Sequence, residues 1–364
     1  MAVNIWLATT DNNYGTATNW SLLAVPTASD GNVATFDATS PNCTVNTSAR
    51  VCNHIDFTGY TNTITMTNTI TVSGNVTLVS TMASRVAGAS ALIINATSTM
   101  TANGGTWINA LTLSTNSITF TLADNWTVSG TFTISGNNVT IDGFSLYAGG
   151  NFVVSNGTIA GSTTTFVLNG TGTWSGAGAL SNNVTINTTG TITISGAVTY
   201  RSGTLTYTAG TVTTTGSTLT ISTSCTLNTN GIIWNAITIS VVSTITNNSA
   251  LTIAGTLTLS GAGSNIINGS DVNIQGGYSA SSGRNLSGTA NLYINGSANQ
   301  NMNASISALI ANNLTINSSG IITITNGFTY LTGVFTYIAG TVTVGGTMTF
   351  SGSCTLDLAG IVFG

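Results

Sequence analysis

Residues 182–216 read NNVTINTTGTITISGAVTYRSGTLTYTAGTVTTTG, and residues 312–346 read NNLTINSSGIITITNGFTYLTGVFTYIAGTVTVGG. The two stretches match at an offset of 130. The match runs on, one residue shorter, from TLTISTSCTLNTNGIIW (218–234) to TMTFSGSCTLDLAGIVF (347–363). Inside each copy apolar and hydroxyl residues alternate with period two, the pattern of a half-buried strand. The runs are short and stop at Gly, Asn or Ser, which favour turns. Their starts fall six or seven residues apart, as at Val198, Leu205, Val212 and Leu219. Sandwich hairpins recur every 8–12 residues, so this spacing is too tight for them. It suits short strands that turn a corner, three to a coil of about 18–21 residues. The expected fold is therefore all-β, a β-solenoid or parallel β-helix of some 15 coils. An elongated β-sandwich array carries the same alternation and is the alternative.

The repeat extends upstream. ALIINATSTMTANGGTW (91–107) matches 218–234, and NWTVSGTFTISG (125–136) matches ALTIAGTLTLSG (250–261). A super-repeat of about 120–130 residues thus occurs twice within residues 61–364 and begins a third time. The third copy breaks off at Gly364, as expected of a cut or of an end closed by another element. Residues 1–60 differ in texture. They hold Pro26 and Pro41, four of the eight Asp, the single His and two of the six Trp. A solenoid end exposes an open strand edge, and these residues read as the cap or attachment element that covers it.

Composition supports this division. Only 3% of the 364 residues are charged, with four Arg, eight Asp, no Lys and no Glu. Average domains carry about 25%. In a stack, equivalent positions lie one strand apart, where like charges repel and Thr or Asn can bond to their own kind. Without Lys and Glu, and with Gln at 275 and 300 alone, the polar helix formers are missing. That excludes a bundle, a coiled coil and a doubly wound α/β domain. A hydrophobic content of 41% and a net charge of -4 argue against disorder. No basic patch offers a nucleic-acid footprint. No apolar run approaches the roughly 18 residues of a membrane helix. The opening MAVNIWLATTDNNYG lacks the n-region and apolar core of a secretory signal, so the expectation is either release without that signal, as a virion part is released on lysis, or a leader missing from this sequence.

Signals for chemistry are thin. Cys225 and Cys354 hold one repeat position, Ser98 is its counterpart in the first copy, and all three read as small inward residues. Cys43 and Cys52 either pair or sit on adjacent coils. His54 has Asp56 nearby but no triad or metal spacing around it. Asp124, Asp142, Asp271 and Asp357 lie far apart in sequence. Glycoside hydrolysis needs two facing carboxylates, and only Asp124 with Asp142 are spaced to reach neighbouring coils. Asp30 and Asp37 read as turn formers rather than calcium ligands, and the GGxGxD calcium repeat is absent. Sequons at Asn75, Asn95 and Asn156 follow from composition. Tyr200 and Tyr207, with Tyr330 and Tyr337 at matching positions, form either an outward strip for sugars or, the favoured reading, an inward ladder. No catalytic, cofactor or metal set is assigned, and the chain is not read as an enzyme.

The N-terminal stretch WLATTDNNYGTATNWSLLAVPTASDGNVATFDATSPNCTVN carries Trp6, Asn19-Trp20-Ser21, Val25-Pro26-Thr27, Asp30 and Phe36-Asp37. This resembles the opening of repetitive β-rich structural proteins of tailed bacteriophages, over about 45 residues by motif and beyond that by texture. The resemblance implies a virion component such as a tail or head fibre, spike or decoration protein. It further implies a homo-oligomer that contacts other virion proteins and host-surface glycans, with no catalytic residues. Related patterns open some bacterial autotransporter and haemagglutinin-like passengers, so a cell-surface adhesin or filament subunit is the alternative. Rows of Thr-x-Thr raise ice binding as a third, weaker expectation.

Overall fold

A computed structural model describes every residue except 1, 47, 87–89, 162, 262, 282, 306 and 359–364, and for 83–86 it describes the backbone alone. The described chain is 54% strand and 1% helix, wound as parallel stacked coils in a β-solenoid of about 15 turns. The one helical turn is a 3-10 segment at Ala17–Asn19. Two compact units divide it, Met1–Thr193 with Thr208–Thr211, and Ile194–Tyr207 with Val212–Gly364.

In the first unit the chain visits three faces in rotation. Val3–Ile5, Val33–Thr35, His54–Asp56 and Val76–Thr77 pair in parallel to start the first face. Cys43–Val45, Thr63–Met66 and Ala83–Val86 start the second. Arg50–Cys52, Ile70–Val72 and Ala91–Ile94 start the third. Regular coils therefore begin at Val33, earlier than the change of composition near residue 60. Parallel pairing thus already runs through residues 33–60, and Val3–Ile5 joins it on the first face.

The alternation expected from period two is present strand by strand. In Thr63–Met66 and Ala110–Leu113 every second residue is buried. Along the first unit Phe132, Phe152 and Phe166 stack at 5.2–6.1 Å, and Trp174 closes the row 6.2 Å from Phe152. These large inward rings add to a core otherwise filled by buried Ile, Val and Leu. Tight stacking also dictates some glycines. Gly143 has φ +106, and a Cβ there would collide with the Leu122 carbonyl on the coil below.

Coil length varies more than expected. In the second unit Leu219 aligns with Ile237, 18 residues on, whereas Tyr278 aligns with Met302, 24 residues on. The extra residues are absorbed between strands, where they leave the register unchanged.

The super-repeat and the coil are out of step. On one face of the second unit Val198 aligns with Leu219, then Ile237, Leu257, Tyr278, Met302 and Ile324, six coils in all. Phe328, the repeat counterpart of Val198, comes just after, in a strand that pairs with Met348–Phe350 on the next face. Thr218–Ile221 and its counterpart Met348–Phe350 are displaced in the same way. One super-repeat thus spans six coils plus one strand, and each copy turns its sequence onto the following face. Phe363, the expected counterpart of Trp234, lies outside the described residues.

Candidate functional site

The densest cluster of unusual side chains is the cap at the start of the first unit. Trp6, Tyr14, Trp20 and Phe36 are fully buried. Trp20 packs edge-on to Trp6 at 5.2 Å and to Tyr14 at 4.8 Å. Phe36 continues into the coils by stacking on Phe57 at 4.9 Å. The indole of Trp20 donates to the Tyr14 carbonyl at 2.8 Å, so the buried N–H is satisfied.

Each motif residue of this region has a local task. Asn19 is buried, and its Oδ1 accepts from the Thr10 backbone at 2.8 Å. Its Nδ2 donates to Asp11 at 2.7 Å and to the Asn13 carbonyl at 3.1 Å. Ser21 Oγ accepts from the Ile5 backbone at 2.8 Å. Pro26 is buried, and Asp30 closes the next turn by accepting from the Thr27 and Asn32 backbones at 2.9 and 2.8 Å. Asp37 accepts from the Thr39 backbone and hydroxyl at 2.8 and 2.7 Å. These are Asx turns, as expected for Asp30 and Asp37.

The cap also occupies the exposed edge. Tyr14 N–H donates to the Thr44 carbonyl at 2.8 Å, and Thr44 N–H to the Asn12 carbonyl at 2.6 Å, so loop 12–14 pairs with the first strand of the second face. The Arg50 side chain lies over Gly15, where a Cβ would collide with its guanidinium. Thus the cap does what an open strand edge requires.

Electrostatics follow from these bonds. The backbone bond from Asn13 and the amide of Asn19 hold the Asp11 carboxyl below the usual carboxylate range. For Asp30 burial pushes the other way, but the bonds from Asn32 and Thr27 outweigh it and the net direction is down. The Thr39 hydroxyl leads the depression at Asp37. His54 is half-buried, its Nδ1 accepts from Asn75 N–H at 2.8 Å, and burial lowers its pKa.

The thiols are held in the core. Cys43 and Cys52 sit on adjacent faces of one coil, both buried and unpaired. The expectation that they pair or lie on adjacent coils is corrected: the chain turns a corner between them, so they sit on different walls of the same coil. Burial pushes the Cys52 and Cys225 thiols up to about 12, which keeps both in the unreactive form. Cys225 is an inward residue, and so is Ser98, its first-copy counterpart. Cys354 is half-buried in the last described turn.

Asp124 and Asp142 lie on neighbouring coils, as their spacing allows. Asp124 accepts from the backbones of Ala102 and Asn103, both at 2.6 Å, and so points to the coil before it. Asp142 belongs to the coil after and aligns with Thr121. Asp271 Oδ1 takes the Asn291 amide at 2.9 Å, and Asn291 in turn takes that of Asn313 at 3.0 Å. Asp357 aligns with Thr336. Among the described residues no three His, Cys, Asp or Glu side chains gather as a metal site would require. No helix among them is long and apolar enough to cross a membrane.

The tyrosines divide. Tyr200 and Tyr330 are fully buried, and Tyr330 donates to the Asn312 carbonyl at 2.9 Å. Tyr207 and Tyr337 are half-buried at a corner, where the Tyr337 hydroxyl meets the Gly340 carbonyl. The sequon asparagines serve corners: Asn75 Oδ1 accepts from Thr99 N–H, and Asn95 Oδ1 from the Ser73 hydroxyl, both at 2.9 Å. Asn156 Oδ1 accepts from Gly157 N–H at 2.9 Å. On the outer side of the second unit, Thr199, Thr220, Thr238, Thr258, Ser279, Asn303 and Thr325 line up in one row. The flanking row is interrupted by Ala197 and Gly277, so the paired Thr rows expected of an ice-binding face are not continuous. A shallow groove beside the single row is lined by Ser279, Ser281, Asn303, Ser305 and Asn326.

Inward polar residues escaped the sequence reading. Asn312 Nδ2 donates to the Ala290 and Ile267 carbonyls, one and two coils back, at 3.0 and 3.5 Å. Its repeat counterpart Asn182 bonds the Thr164 and Ile141 carbonyls at 3.4 and 3.3 Å. The doubled Asn that opens both copies is the signal that marks them. Compared with protein-family models, with curated proteins and with solved structures, the chain matches none.

Proposed function

We propose that this chain is a structural component of a bacteriophage virion, a fibre, spike or decoration protein that works as a mechanical scaffold. The observation that carries the reading is the cap. The residues that resemble the opening of phage structural proteins build it: Trp6, Trp20 and Phe36 form its packed aromatic core, Asn19 and Ser21 bond its loops, Asp37 closes a turn, and loop 12–14 pairs with the edge strand Cys43–Val45. A body of stacked strands with few charges offers extension and resistance. Asp124 spends its carboxylate on two backbone donors, which supports the scaffold reading over a site of hydrolysis. The test is mass spectrometry of particles purified from a lysate of the producing host. The protein is expected among the virion proteins, at a copy number that scales with the particles. Its absence from them would overturn the proposal.

A further inference from the structure

The cap buries its aromatic residues fully, yet leaves leucines in water. Leu7 is 42% exposed, Leu22 46% and Leu23 70%. Leu7 sits on an antiparallel bridge, and Leu22 and Leu23 lie in the turn that follows it, where Leu23 N–H donates to the Trp20 carbonyl at 2.8 Å. Trp6 bridges Trp20, Leu7 N–H donates to the Asn19 carbonyl at 2.8 Å, and Ser21 N–H to that of Ile5 at 2.9 Å. Leu22 N–H is held by Asn4 Oδ1 at 3.1 Å. The backbone is strained where it presents them. Leu23 has φ +53, and Ala8, next to Leu7, has φ +47. Non-glycine residues rarely adopt this conformation, and strain of this kind collects at sites of function. Leu22 and Leu23, exposed side by side in a bonded turn with Leu7 on the bridge beside it, offer apolar surface for a partner to cover.

The charge of the region says what covers it. Residues 1–60 hold Asp11, Asp30, Asp37 and Asp56 against Arg50, a net of -3 out of -4 for the whole chain. Asp11 and Asp30 are exposed, and Asp11 is bonded to Asn19 at the bridge itself. Two caps brought together would repel, whereas a cationic rim would be drawn in. We propose that Leu7, Leu22 and Leu23 form a docking surface for a different protein, one whose face offers an apolar pocket rimmed by lysine and arginine. The proposal rests on the scaffold reading above, in which that partner is another protein of the same particle.

The experiment uses particles made without this protein, to which the purified full chain is added back. Wild type is expected to bind, more weakly as salt rises. The double variant Leu22→Asp, Leu23→Asp is expected to bind at least tenfold more weakly, with an unchanged circular dichroism spectrum and melting midpoint. Val241→Asp, Val242→Asp alters two exposed valines elsewhere, and this control is expected to bind like wild type. Equal binding by the leucine variant would overturn the docking surface and leave the virion reading standing. Failure of wild type to bind would overturn both. A wild-type dimer in solution that the leucine variant abolishes would make the occupant a second copy, and overturn the partner proposed here.

Discussion

The Asp37 carboxylate accepts from two groups of Thr39 and from the Ser40 hydroxyl at 3.2 Å, and Asp11 and Asp30 are held in the same fashion. Their pKa values are depressed in the folded chain. The stability they contribute is therefore complete above the unfolded value of about 4 and is lost as pH falls through the lower folded values. His54 is also lowered, but as a base. Its contribution is complete above about pH 6.5 and declines as pH falls below that value, because the unfolded chain binds the proton first. Melting followed by circular dichroism is expected to give a flat midpoint above pH 7, then a shallow fall toward pH 5 that His54→Gln abolishes. A second fall is expected to begin near pH 4, where the carboxylates of the unfolded chain take up protons before those of the folded cap do. A midpoint unchanged to pH 3 would contradict this account of the cap.

Strands and corners obey different rules, and only the first were legible. Alternation in TITM or ALTL fixes the inward face, because each strand is a half-buried period-two element, and burial follows it in Thr63–Met66 and Ala110–Leu113. Corners have no such period. Their work is to satisfy carbonyls that leave the ladder, and an inward Asn does so where water is excluded. Asn312 bonds two coils at once, which no local pattern reveals. Asn312→Ala removes both bonds and is expected to lower unfolding free energy by about 2–3 kcal/mol, measured by denaturant titration. A neutral result would assign the corner to packing alone. The cap was legible as a region, since its motif and aromatic residues stand out. The strand pairing inside it, from Val33 onward, was not, because those strands carry the cap's composition rather than the repeat's texture.

At the scale of the molecule, the low charge count follows from stacking. Each outward position has a like position one strand away, and the row from Thr199 to Thr325 fills these with hydroxyl and amide groups. Where Asp271 enters a row, the next coils answer with Asn291 and Asn313 rather than another acid. The super-repeat advances by one face per copy, so the chain does not repeat a chemical surface along one wall. This suits a body whose requirement is stacking itself. It also explains why alignment of the copies revealed the repeat but not its faces: identical strands fit any wall of a three-sided coil.

The parallel stack is tested most directly by a distance. Thr220 and Thr325 lie 105 residues apart in sequence and five rungs apart on one face. At about 4.8 Å per rung their backbones are about 24 Å apart. Spin labels at Thr220→Cys and Thr325→Cys, in a Cys354→Ser background, report that separation by double electron–electron resonance. A single narrow distribution near that distance, widened only by the label tethers, is the predicted result. A broad or much longer distribution, as an extended array of sandwiches would give, would contradict the solenoid.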